Sequence, residues 1–129
     1  MFVSGDLHLS SFSKLELRAG GVEVIAWQIV SSGLYAPMPF ANAGLADYDW
    51  NHPVRVVTTN DADGKVEICA ESGVLCSGPS HFVRVDAERA TDGWSLCVGV
   101  GGSDGALLEP LGTPPAGVDH ADRSWRVRL

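Results

Sequence analysis

The sequence predicts one all-β domain over 1–129: an antiparallel β-sandwich of jelly-roll or immunoglobulin-like kind, with about eight or nine strands and two long loops. Three observations carry this. Apolar residues recur at alternate positions in many short runs, the period of a half-buried sheet. Glycine-containing pairs punctuate the runs at the spacing of antiparallel turns. Helical periodicity is almost missing. With 129 residues, 45% of them hydrophobic, the chain has material for one core and too little for two.

Taken in order, Leu15 and Leu17 alternate with Lys14, Glu16 and Arg18, and Gly20-Gly21 ends that strand. The run from Val22 to Val30 starts on one parity with Val22 and Val24 and continues on the other with Ile25, Trp27 and Ile29. A β-bulge near Val24 and Ile25 would reconcile the halves. Residues 31–52, with Pro37, Pro39 and several aromatics, form the first long connection. Val54 to Thr59 and Lys65 to Ala70 read as a hairpin around Asp63-Gly64. Ser72-Gly73 reads as a further turn, whose length decides whether Cys69 faces Cys76 or points away from it.

Val83 and Val85 mark the next strand, and Asp86 to Thr91 reads as a strand connection that ends at Asp92-Gly93. Trp94, Leu96, Val98 and Val100 give the clearest alternation, closed by Gly101-Gly102. Residues 101–122, with Pro110, Pro114 and Pro115, form the second long connection. The last strand, from Ser124 to Leu129, sets Trp125, Val127 and Leu129 on one face and two arginines on the other. The expected core is Leu15, Leu17, Val22, Trp27, Ile29, Val54, Val56, Val66, Ile68, Val83, Val85, Leu96 and Val98.

A net charge of −7 opposes wrapping of nucleic acid phosphates, and no run approaches the roughly 18 apolar residues of a membrane span. Neither nucleic acid nor membrane is therefore an expected partner. The opening MFVSGDLHLSSFSKL lacks a basic start followed by an apolar stretch, so synthesis without export, in the cytoplasm, is the expectation. Three cysteines exclude a disulfide scaffold, and in a reducing compartment they read as small thiols.

Few motifs carry chemistry. Asp47-Tyr48-Asp49-Trp50-Asn51 opens like a calcium loop but has His52 where the turn needs glycine and Thr58 where it needs a bidentate Glu. With Tyr35, these residues instead suit a sugar, since rings stack on its apolar face while Asp and Asn bond its hydroxyls. Asp61, Asp63 and Glu67 are explained by the hairpin turn. Zinc lacks a Cys-x-x-Cys pair, with His81 the nearest further ligand. Gly101-Gly102-Ser103-Asp104-Gly105 fits a hydrolase elbow only formally, because no helix can follow before Pro110. His8, His52, His81 and His120 are scattered. The expectation is a non-enzyme without cofactor or metal.

Arg123, Arg126 and Arg128 gather around Trp125 after Asp119 and Asp122. This pattern suits either a head-to-tail contact between copies through Arg123, Trp125, Arg126 and Arg128, or an edge strand guarded by charge. The expected function is a non-catalytic structural or assembly subunit, such as a decoration, head or tail protein of a phage or virus particle, with copies of itself or other particle subunits as partners. The alternatives are a carbohydrate-binding module built on Tyr35, Asp47, Tyr48, Asp49, Trp50 and Asn51, with a glycan as partner, and a small acidic immunity or inhibitor protein for a basic target.

Overall fold

A computed structural model of the chain describes residues 1–4, 9–31, 54–60, 64–77 and 81–129. These form an all-β sandwich with no helix among the described residues. The strands are β1 (Phe2–Ser4), β2 (Leu9–Ala19), β3 (Val22–Val30), β4 (Val54–Asn60), β5 (Gly64–Ser77), β6 (His81–Ala90), β7 (Gly93–Gly102), β8 (Leu107–Leu108), β9 (Val118–Ala121) and β10 (Ser124–Arg128). The first sheet has the order β1-β3-β2-β5-β4, and the second has the order β6-β7-β10-β9, with β8 added to β7. All pairings are antiparallel except β1 with β3. The N-terminal half thus builds one layer and the C-terminal half the other.

β2 and β3 form a hairpin whose Gly20 and Gly21 lie at φ 56° and 81°, where side chains with a Cβ are disfavoured. Their register runs unbroken from Ser11↔Val30 to Ala19↔Val22, so no bulge stands at Val24 and Ile25. The parity change in β3 has another cause, a switch in which face of the sheet is apolar. The irregularity lies instead between β2 and β5, at Ser10/Ser11, where Leu75 is the extra residue.

β5 departs from expectation too. It continues straight through Ser72-Gly73, so no hairpin turn occurs there. Gly73 is small for a packing reason: a Cβ would stand 2.5 Å from Trp125 Cη2 and collide with the Thr113 carbonyl. Cys69 and Cys76 therefore share one strand, and neither forms a disulfide. Upstream, the predicted hairpin of β4 and β5 is present, from Val54↔Ala70 to Asn60↔Gly64.

In the second sheet β6 runs on to Ala90, so residues 86–90 of the expected connection are strand and Thr91 begins the turn. Gly101 lies inside β7, where the Phe82 ring occupies the space a side chain would need. The glycine-serine segment after it is a hairpin turn, closed by Gly105 N–H to Gly102 O at 2.9 Å, and leads into β8 rather than a helix. Beyond β8, Leu111 and Gly112 donate N–H bonds to Leu75 and Val74 carbonyls, at 3.1 and 2.9 Å, along the part of β5 that β4 leaves uncovered. This short part of the second long connection is thus an edge cover. β10 is no edge strand, since it lies between β7 and β9.

Phe12, Trp27, Ile29 and Leu75 from the first sheet meet Leu96, Val98, Val100, Val118, Trp125 and Val127 from the second. Phe12 and Trp27 stack with centroids 5.2 Å apart and planes 14° apart. Of the expected core, Trp27, Ile29, Leu96 and Val98 are buried; Leu15, Leu17, Val66, Ile68 and Val83 are half-buried. Val22, Val54, Val56 and Val85 are exposed, against expectation, and three of these four belong to one surface.

Candidate contact surface

Residues paired across an antiparallel ladder point to the same face, so register assigns sides. Phe12 pairs with both Ile29 and Gly73, and Gly73 meets Trp125, which makes this the inner face toward the second sheet. Two residues along β2, the same face carries Lys14, then Glu16 and Arg18. Facing them on the neighbouring strands are Glu23, Glu67 and Glu71. The core stops at Lys14 and Trp27, and beyond that line the inner face carries these charged residues with Ile25, Cys69 and Val57 among them.

This inner face is internally matched. Lys14 Nζ lies 2.8 Å from Glu16 Oε1, Arg18 Nη2 bridges Glu16 and Glu23 at 3.2 and 3.0 Å, and Arg55 and Lys65 hold Glu67 at 2.5 and 3.3 Å. The hydrogen bond with Glu16 raises the Lys14 pKa and that with Lys14 lowers the Glu16 pKa. The Glu23 hydrogen bond raises that of Arg18. Burial pushes the Glu67 pKa up, but the Lys65 hydrogen bond and the Arg55 charge outweigh it and leave it lowered.

The opposite, outer face of the same overhang has the reverse character. One row reads Ala26, Leu15, Ala70, Val54 across β3, β2, β5 and β4; the next reads Val24, Leu17, Ile68, Val56; the third reads Val22, Ala19, Val66, Thr58. All but Thr58 are Val, Leu, Ile or Ala. The outer strands leave this face open, with Val22 64%, Val24 53%, Val54 58% and Val56 52% exposed. A contiguous apolar sheet face turned away from its own sandwich is a candidate contact site, distinct from scattered surface apolarity. Its signal in the sequence was the parity change at Val24 and Ile25.

Of the residues singled out by sequence, Tyr35, Asp47, Tyr48, Asp49, Trp50 and Asn51 lie outside the described residues, as do His8 and His52. Trp125 is fully buried and serves the core, not a contact between copies. Arg123, Arg126 and Arg128 are exposed but already engaged: Arg123 with Glu109 at 3.2 Å and the Leu107 carbonyl at 3.1 Å, Arg126 with Glu88 at 3.7 Å and Cys97 Sγ at 3.1 Å, Arg128 with Asp92 at 3.0 Å. Arg126 has a raised pKa, chiefly from the Cys97 hydrogen bond. Trp94, 51% exposed, borders a recess of about 190 Å³ with Arg126 and Arg128, whose charges Glu88 and Asp92 offset.

Ser10 Oγ and His81 Nε2 lie 2.8 Å apart, a serine–histidine contact that sequence reasoning did not foresee. Both residues are buried, at 0% and 2% exposure, and their contact ties the two sheets together. Among the described residues no group of three or more His, Cys, Asp or Glu is placed to hold a metal. No helix of the described residues is long and apolar enough to cross a membrane. No known protein family, curated protein or solved structure matches the chain.

Proposed function

We propose that the protein is a non-catalytic assembly subunit that docks through the outer face of β3, β2, β5 and β4. The apolar row Val24, Leu17, Ile68 and Val56, open on a face its own second sheet does not use, carries this reading. Burying such a surface gives association its driving force. The setting we favour is a structural protein of a phage or virus particle, where many copies of a small β-module meet neighbours through flat faces.

The reading is tested with a Val24→Glu/Val56→Glu double variant. Both positions are more than half exposed, so the fold tolerates the change while the face acquires charge. In cells that make the protein, the wild-type chain is expected to co-sediment with a large complex or particle and the variant to stay in the light fraction. Equal sedimentation of the two, or a wild-type chain that stays light, overturns the assembly role.

A further inference from the structure

We infer that the occupant of this face is a second copy of the same chain, packed sheet against sheet. The inference rests on the docking reading and names its partner.

Charge is the first argument. The chain carries −7, a self-repulsion that ordinarily keeps copies apart. On the overhang, however, Glu16, Glu23, Glu67 and Glu71 all stand on the inner face, with the sheet itself between them and the outer one. Two outer faces therefore meet with no like charges in the contact. A basic partner would find nothing there to pair with.

Composition supplies the second. The three rows offer β-branched, leucine and alanine residues, with Thr58 paired to Val66 at one corner and Gln28, Ser13 and Ser72 along the border, where the two serines bond each other at 2.7 Å, so few hydrogen bonds can select a foreign partner there. What it fits is another flat apolar sheet at about 10 Å, the geometry of a sandwich interior. A second copy supplies that surface, and a two-fold arrangement makes it self-complementary.

Area sets the strength. Four strands about 4.8 Å apart and five residues at about 3.4 Å each cover roughly 19 by 17 Å, or about 320 Å² on each copy. The opposed pair removes roughly 650 Å² of footprint, below the ~1,200 Å² at which stable interfaces begin. The contact is weak between free chains and becomes substantial when copies are held at high local concentration, as in an assembly.

Sedimentation equilibrium of the full chain from about 10 µM to about 1 mM tests this, together with isotope-filtered NOEs in a mixture of labelled and unlabelled chains. The expected result is a reversible dimer that persists at high salt, with intermolecular NOEs joining methyls of Leu17, Val24, Val56 and Ile68. Val24→Glu/Val56→Glu is expected to raise the dimer Kd by about a hundredfold with an unchanged far-UV spectrum. Arg126→Ala/Arg128→Ala leaves it unaltered. A monomer at every concentration, or a dimer that the arginine variant abolishes, overturns the second copy as occupant. If the chain is monomeric and the glutamate variant still leaves the cellular complex, the docking reading survives with a different partner; if the variant changes neither measurement, both fall.

Discussion

Gly73 and Trp125 show how one contact can set the meaning of two residues. By itself Ser72-Gly73 has the composition of a turn, and Trp125 next to arginines has that of an exposed anchor. In the fold the indole lies on the glycine and joins the two layers. Gly73→Ala is expected to cost about 1–3 kcal/mol, because the new methyl meets a backbone carbonyl as well as the ring. Urea unfolding with an unchanged m-value checks this. Asp122 is the non-glycine residue in the left-handed region among those described, at φ 54° in the β9–β10 turn. Replacing it with Val is expected to destabilise by about 1–2 kcal/mol and with Gly by little, which thermal unfolding of the pair resolves.

At the level of elements, β2, β3, β4 and β5 hold their overhanging ends partly through the ion pairs of the inner face. Glu16 and Glu67 have lowered pKa values in the folded chain, so the stability they contribute is present above the ordinary value of 4.5. It is lost as pH falls through the lowered values. Lys14 has a raised pKa, so its share is full below 10.5 and is lost as pH rises through the folded value. Glu16→Gln/Glu67→Gln is therefore expected to flatten the acid limb of a stability-against-pH curve and leave the rest of its shape. Amide exchange at Glu16, Arg18 and Glu67, followed from pH 6 downward, checks it. An acid limb as steep as that of the wild type would contradict the pairing.

For the whole molecule, the first sheet is longer than the core it covers. Its upper part packs on the second sheet, and its lower part has water on the charged side and the apolar face on the other. Leu96→Ala, inside the core, is expected to cost about 2–5 kcal/mol. Val24→Glu/Val56→Glu, on the overhang, is expected to change monomer stability by about 1 kcal/mol or less. Chemical denaturation of both variants, measured at a concentration where copies do not associate, makes the comparison. A large loss in the overhang variant would place that face in the monomer's own core and remove the contact surface.

The sequence by itself determined the all-β class, the strands around Leu17, Ile68, Val85, Val98 and Val127, and the turns at Gly20-Gly21 and Asp92-Gly93, because alternation and left-handed turn residues act over a few positions. It also contained the parity change in β3, without the means to interpret it. Strand order, the burial of Trp125, the interior place of β10 and the side on which Val22, Val24, Val54 and Val56 emerge were decided only by tertiary structure. Period-two patterning shows which side chains share a face. Whether that face meets the protein's own second layer depends on contacts between segments far apart in the chain, and no local pattern encodes those.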